Sequence, residues 1–430
     1  MSDAASTAPA VTRERFPPQV KFLAWNEGCE RFSYYGMTSI LTLHMVRNLG
    51  LQENSAVAGY QLFVFAVYFT PLVGAWLADR FFGRYKVILW LSFGYVLGHA
   101  TLAVFESAWG LVAGLALIAI GAGGIKPCAS AFLGDQLPLN NPNIVQRAYN
   151  LYYWMINFGS MASTLSIPWL LEHRGASVAF GVPGILMAIA LVIFVAGRKH
   201  YVYVPPTRGK QAWTPEGKRA VLRITLVFLP VAAFWALFFQ YGSAWILQAE
   251  RMDRVVFGHQ ILSAQVTTLN AVFILTLIPI FAGFVYPAVA RLGVKVTPLR
   301  KMTVGMFVSV LSFASAAAIQ LAIDRGGQPH VAWQVFQYLF ISMGEVMVSV
   351  TALEFAYTQA PAEMKSTIMS IWYVTIAAGS LLTAAVAALN QFEGTAYYLF
   401  FTALMLVAAV IFAFVARWYT ARVGERAAVA

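Results

Sequence analysis

Charge is scarce in this sequence. Asp, Glu, Lys and Arg make up 11% of its 430 residues, against roughly 25% in an ordinary soluble protein. So few charges cannot cover the surface of a water-soluble chain of this length, and a soluble globular protein is excluded. Cysteine is scarcer still. Cys29 and Cys128 are the only two, both in apolar segments, which leaves no disulfide framework and no metal-ligand spacing. Neither an H-E-x-x-H zinc motif nor a G-x-S-x-G nucleophile motif occurs, and no long polar sensory domain is present, which argues against an intramembrane enzyme or a receptor. The first 20 residues are polar and Pro-containing, without an apolar core before a cleavage site, so no signal peptide is expected.

What the chain has in abundance is apolar residues, 60% of the total. They fall in runs of about 20 or more, long enough to cross a ~30 Å hydrocarbon core as helices that satisfy their own backbone hydrogen bonds. Breaks at charge, Gly and Pro mark twelve candidate spans: 22–49, 56–79, 86–105, 109–134, 146–171, 177–197, 220–249, 260–290, 300–322, 331–358, 366–390 and 394–420. The expected fold class is an all-α integral membrane protein, two six-helix bundles with both termini on one side. The expected organisation is a tail at 1–21, bundles at 22–197 and 220–420, a basic linker at 198–219, and a tail at 421–430.

The 29 Lys and Arg orient the spans. With the N-terminus in the cytoplasm, only Arg47, Arg174, Arg251, Arg254 and Arg325 fall on the far side, and Arg31 and Lys126 fall within spans. All the others are cytoplasmic, as the positive-inside rule requires. The net charge of +11 is then a topology signal and an attraction to anionic lipid, with no nucleic-acid partner to explain.

The first span carries Glu27, Glu30, Arg31, Tyr34, Tyr35 and Thr38 at i, i+3, i+4, i+7, i+8 and i+11, all on one helical face. A charge at a helix centre costs about 2.5–3.5 kcal/mol on insertion scales, so three of them must face protein or water. A buried ion pair that fixes helix packing is one reading. The other is a proton site, because two acids share one cation: if a substrate carboxylate engages Arg31, a released Glu takes up a proton. Lys126 is the second intramembrane cation, in Gly121-Ala122-Gly123-Gly124-Ile125-Lys126-Pro127. The fifth span carries the stripe Asn150, Tyr153, Trp154 and Asn157. The tenth carries Tyr338, Ser342, Glu345 and Ser349, with no basic residue near Glu345 in sequence. Asn270 and Trp372 are weaker signals, a Trp there being more often packing. Two cations in one half and a lone carboxylate in the other suit a ligand with a carboxylate at one end and an ammonium at the other.

A central linker between six-helix halves, with the loop Gly74-Ala75-Trp76-Leu77-Ala78-Asp79-Arg80-Phe81-Phe82-Gly83-Arg84, resembles the major facilitator superfamily. In that loop a tight turn is expected to hold Asp79 in an ion pair. Further motifs resemble the proton-coupled oligopeptide transporter family. They are Glu27-Gly28-Cys29-Glu30-Arg31-Phe32-Ser33-Tyr34-Tyr35-Gly36, then Gly123-Gly124-Ile125-Lys126-Pro127 followed by Asp135-Gln136. Tyr152-Tyr153-Trp154-Met155-Ile156-Asn157-Phe158-Gly159-Ser160 and the run from Gly344-Glu345 to Gln359-Ala360-Pro361 complete the set. The likeness extends from about residue 22 to 390.

The resemblance implies uptake of di- and tripeptides with protons, driven by the proton gradient without a cofactor, by a monomer in the bilayer of a bacterial inner membrane. It implies that Arg31, Lys126, Tyr34, Tyr35 and Tyr68 hold the peptide carboxylate side. Glu345, Asn157 and Asn270 would hold the amino side, Ser349 would also contact the substrate, and Trp372 would shape a side-chain pocket. Glu27 and Glu30, with Arg31, would couple protons, while Gly74, Asp79, Arg80, Gly83 and Arg84 would form the conformational loop. One departure matters. Where many members carry an Arg–acid pair as an outer gate, this sequence has Thr38 and Phe239, so the gate must close differently. His44 and His259, near outer helix ends, read as surface histidines. A same-fold carrier for nitrate or another anion is the main rival, and it would leave Glu345 without a role.

Overall fold

Long helices account for nearly all of the structure. The computed structural model describes residues 17–138, 141–206, 214–359 and 365–423. The ends of both expected tails, the middle of the linker and the Ala360–Pro361 end of the tenth-span motif therefore lie outside the described residues. The first helices are α1 (Pro18–Leu43), α2 (Glu53–Leu77), α3 (Arg84–Val104), α4 (Ala108–Asp135), α5 (Pro142–Arg174) and α6 (Ala176–Ala196). After the linker come α7 (Pro215–Phe228), α8 (Val231–Phe238), α9 (Ala244–Glu250), α10 (Thr268–Ile280), α11 (Tyr286–Arg291) and α12 (Pro298–Asp324). The chain ends with α13 (Gln334–Glu345), α14 (Thr351–Gln359), α15 (Lys365–Leu389) and α16 (Gly394–Val423).

Among the described residues, nine helical segments have the length and apolar composition of a membrane span. A tenth, Pro215–Phe228 with Val231–Glu250, is bent by 45°. The bend falls at Pro230, which has no amide hydrogen to donate to the helix ladder. The helices α1 and α5 are also long, 26 and 33 residues, but α1 carries the charged stripe and α5 the polar one. The eighth expected span begins later than its periodicity suggests. A two-stranded hairpin, Val255–Val256 with His259–Gln260, precedes it, and its turn residues Phe257 and Gly258 both have positive φ, as a two-residue primed turn requires.

Local chemistry sets the helix starts. Ser107, Asn141 and Thr214 accept from the backbone amides of Gly110, Ile144 and Gly217 at 3.1, 3.2 and 3.1 Å, and Pro142 and Pro215 stand at the first helical position. Helices α1 to α6 pack mainly on one another, as do α7 to α16. The two groups meet chiefly where α2 lies on α15 and α5 on α10. Among the described residues, short π-helical turns end two segments, at His44–Asn48 and Ala78–Phe82, and interrupt two, at Phe281–Val285 and Val346–Val350. Such turns concentrate at functional positions, and the last comes directly after Glu345.

The conformational-loop residues divide in an unexpected way. Gly74 makes no turn; it is buried inside α2, where a Cβ would stand 2.1 Å from the Gly123 carbonyl oxygen of α4. The turn is made by Gly83, at φ +76°. Asp79 is exposed and makes no ion pair among the described residues, and Arg80 is exposed beside it. Arg84 is tied to Asp135 instead, with Nη1 at 2.6 Å from both carboxylate oxygens. The expected Asp79 pairing is thus corrected: Asp79 stays exposed without an ion pair among the described residues, and the α4 end brings Asp135 to Arg84.

Because no backbone can retreat from a Cβ at that crossing, Gly74→Val should destabilise the fold by roughly 1–3 kcal/mol. Thermal melting of the detergent-solubilised protein should show this as a lowered midpoint. Gly283→Ala, where nothing lies within 4 Å, should leave the midpoint unchanged.

Candidate functional site

The charged stripe of α1 is buried against α5. A Cβ on Gly159 would stand 2.4 Å from the Gly28 carbonyl oxygen, so the two backbones touch, and this contact places Tyr152 of α5 over Glu27. The Tyr152 hydroxyl donates to Glu27 Oε2 at 2.5 Å, while Arg31 Nε donates to Glu27 Oε1 at 2.7 Å. Glu30 Oε2 lies 2.8 Å from the same Nε, but the N–H bond is directed at Glu27. Glu30 is fully buried, and no hydrogen bond of normal geometry reaches either of its oxygens among the described residues. Tyr95 of α3 interacts with it without meeting that geometry. The two acids are therefore inequivalent. Glu27 is held by two well-formed hydrogen bonds; Glu30 is held mainly by charge.

Lys126 lies one helix away. Its Nζ sits 4.1 Å from the Tyr34 ring centroid and 5.2 Å from that of Tyr68, both within cation–π range. It makes no salt bridge among the described residues. Tyr68 continues the aromatic wall, packing on Phe239 at 5.3 Å and on Tyr373 at 6.3 Å. A cavity of about 390 Å³ is lined by Pro127, Tyr373 and Asp79 among others, so it runs between the two helix groups toward the linker end.

The opposing carboxylate is Glu345. Asn270 Nδ2 donates to its Oε2 at 3.1 Å and to Ser342 Oγ at 3.1 Å, and no cation pairs with Glu345 among the described residues. Glu345, Asn270, Asn157, Tyr35, Tyr153 and Tyr241 line one cavity of about 140 Å³, which spans the two helix groups. Asn157 is buried and donates to the Tyr153 carbonyl at 2.9 Å.

Two expected residues fall elsewhere. The extra residue of the π turn at Val346–Val350 rotates the next part of the helix by about 100°. Ser349 stands within that turn, half-buried, and is not among the described residues that line the Glu345 cavity. Trp372 is buried, packed edge-on against Phe228 and Trp235 at 5.2 and 5.6 Å. Glu354 pairs with Lys301 at 3.2 Å.

The histidine reading also needs correction. His259 is exposed, but His44 is buried, its ring edge-on to Phe180 at 4.9 Å. A third histidine, His99 of α3, belongs to no motif in the sequence. It is fully buried, bonds Ser33 at 2.8 Å and stacks on Tyr95. Its apolar sequence surroundings carry no sign of these contacts, and Tyr152 could be found only as part of a motif.

The Thr38 and Phe239 positions carry no charge pair. Thr38 bonds back to the Tyr34 carbonyl at 3.0 Å, and Phe239 packs on Tyr68 and Trp235. Closure occurs farther from the linker. Arg47 hydrogen-bonds Glu250 of the other helix group, and Arg251 donates to both oxygens of Glu53 at 2.7 Å. Asn54 bonds Asn390, Thr42 donates to the Gly242 carbonyl at 2.9 Å, and Thr164 meets Thr268 at 2.9 Å. The adjacent residues Glu250 and Arg251 thus exchange opposite charges with α2 and the end of the α1 segment.

Two helix groups closed at one end over buried, opposite charges define a polytopic α-helical membrane transporter. The model of the POT family matches residues 85–212 and 209–396, and the chain belongs to that family. The crystal structure of the POT family transporter PepTSo is similar over 95% of this chain and 99% of that one, with 35% identity and a TM-score of 0.90. A further proton dependent oligopeptide (POT) family transporter is 37% identical, with a TM-score of 0.80 over 91% of this chain and all of that one. Solute carrier family 15 member 2 of Homo sapiens is 35% identical over 401 residues, 81% of this chain and 55% of the relative. Its Danio rerio counterpart is 37% identical over 75% of this chain and 52% of the relative. The chain spans about half the length of these curated relatives.

An exposed ion pair contributes about 0–1 kcal/mol, so breaking one should shift the closed-end population by up to roughly fivefold without unfolding the chain. Spin labels at Ser55 and Gln391 should report a short distance that broadens in Glu53→Arg. The short distance should return in Glu53→Arg with Arg251→Glu.

Proposed function

We propose that this protein is a symporter that imports di- and tripeptides with protons by alternating access, and that it uses no cofactor beyond the proton gradient. The observation that carries this reading is the separation of charge: Arg31 and Lys126 on one helix group, Glu345 without a cation on the other. A free peptide is a zwitterion. Its carboxylate suits Arg31 and Lys126 with Tyr34, Tyr35 and Tyr68, and its ammonium suits Glu345 with Asn270 and Asn157. An anion such as nitrate would use the cations and leave Glu345 idle. Similarity to proteins named as peptide transporters supports the same choice.

Glu30 is the proton carrier in this scheme. Its buried anion rests mainly on the Arg31 charge, with no well-formed hydrogen bond to offset lost hydration. When a peptide carboxylate draws Arg31 away, Glu30 takes up a proton; when the peptide leaves, Arg31 returns and the proton is released. Glu27, kept by Tyr152, holds Arg31 in register. One proton crossing ~100 mV supplies about 2.3 kcal/mol, enough for roughly fortyfold accumulation of a neutral peptide.

The two helix groups serve as rocking bundles at 22–197 and 220–420, joined by the 198–219 linker, with twelve crossings once α1 and α5 are included. In this scheme both termini lie in the cytoplasm of a bacterial cell and the closed end faces outside, an orientation that the asymmetry of Lys and Arg supports. The monomer contains the whole proposed site.

In liposomes containing the purified protein, Glu30→Gln should abolish gradient-driven dipeptide uptake while dipeptide counterflow persists. Full gradient-driven uptake by that variant would refute the proton assignment. Glu345→Ala should weaken binding of a free dipeptide by tenfold or more, the scale of a hydrogen bond to a charged group. Competition by the N-acetylated dipeptide should be the same for both proteins, and an equal loss for the two ligands would remove Glu345 from ammonium recognition.

A further inference from the structure

At the linker end of the first helix group, the C-terminal ends of α2, α4 and α6 meet the start of α3. A cavity of about 590 Å³ opens there, outside the peptide site. Its walls are largely apolar and aromatic, including Phe82, Tyr85, Phe132 and Val204, and three cations line it: Arg84, Lys86 and Arg198. Arg84 is neutralised by Asp135. Lys86 and Arg198 are exposed and make no ion pair among the described residues, so the cavity carries two uncompensated positive charges. Tyr203 closes one side, its hydroxyl donating to the Arg198 carbonyl at 2.7 Å and its ring edge-on to Tyr85 at 5.1 Å.

The surroundings say what fills such a cavity. Phe82 and Val204 of its lining are about half exposed, as are Phe81, whose ring neighbours Phe82, and Trp76 beside it. Aromatic residues at the end of membrane helices mark the headgroup level of the bilayer, so the mouth opens into lipid and not into bulk water. A ligand for two cations beside an apolar wall has an anionic head and a hydrocarbon tail. Basic pockets between membrane helices hold lipid headgroups by this same chemistry.

We infer that this cavity binds an anionic phospholipid of the linker-side leaflet, its phosphate between Lys86 and Arg198 and an acyl chain along Phe82 and Val204. The lipid would seat the start of the linker against the first helix group, because Tyr203 and Val204 line the same space.

Native mass spectrometry of the full chain in neutral detergent, with equal amounts of phosphatidylglycerol and phosphatidylcholine, tests the assignment. The wild type should retain phosphatidylglycerol preferentially. Lys86→Glu with Arg198→Glu should lower that preference roughly tenfold or more, given about 1 kcal/mol for each cation near anionic lipid. Lys86→Arg with Arg198→Lys should keep it. So should Arg291→Glu with Lys295→Glu, which makes the same charge change on exposed positions outside the cavity. If the reversed pair fails to fold, Lys86→Gln and Arg198→Gln singly should each lose part of the preference. An unchanged preference in the reversed pair or the single variants overturns the site. Equal loss in the Arg291 and Lys295 pair, or displacement of the lipid by inorganic phosphate, overturns it as well.

Discussion

Three ionisable side chains on a single turn of α1 have to be accommodated away from water. A buried charge is costly unless paired and hydrogen-bonded, and a buried pair is rarely a net gain over well-packed apolar residues. Glu27, Glu30 and Arg31 therefore contribute little to stability for what they demand. They require α5 to approach until Gly28 and Gly159 touch, a tyrosine to reach Glu27, and α3 to close over Glu30. Much of the first helix group is arranged around that requirement. Retaining so demanding a cluster makes physical sense where the charges exchange partners during work.

The second helix group meets this cluster with the opposite chemistry. Glu345 has an amide donor and no cation among the described residues, at the point where a π turn interrupts the helix. The cavity between the groups is thus polarised before any ligand enters. Closure at the far end uses several contacts that are individually weak: two exchanged ion pairs, an Asn–Asn hydrogen bond and backbone docking at Gly242. Such pairs in water are each near thermal energy. A closure that must open in every cycle is better built from many small terms than from one buried ion pair, which suits a chain with Thr38 and Phe239 where an embedded pair would otherwise stand.

Much of the fold was legible because membrane spans are long, apolar and separated by charge. The expected limits agree with the helices to within a few residues over most of the chain. The charged stripe was legible for a related reason: helical periodicity puts Glu27, Glu30, Arg31 and Tyr34 on one face whatever surrounds them. Ser349 was assigned by the same periodicity, which assumes a regular helix, whereas a π turn stands at Val346–Val350. Asp79 and Arg84 differ by a turn whose direction depends on Gly83 and on where α4 ends.

Periodicity assigns a face to each side chain but names no neighbour for it. The sequence by itself determined that this is a polytopic helical membrane protein, which residues carry intramembrane charge, and which family its motifs resemble. Only the tertiary structure decided that Glu27 takes Tyr152 and Arg31 while Glu30 receives no well-formed hydrogen bond, that Asp135 answers Arg84, and that His44 and His99 are buried. Each of those outcomes depends on helix rotation and on backbone approach across distant segments. These are set by packing between helices, where local periodicity carries no information.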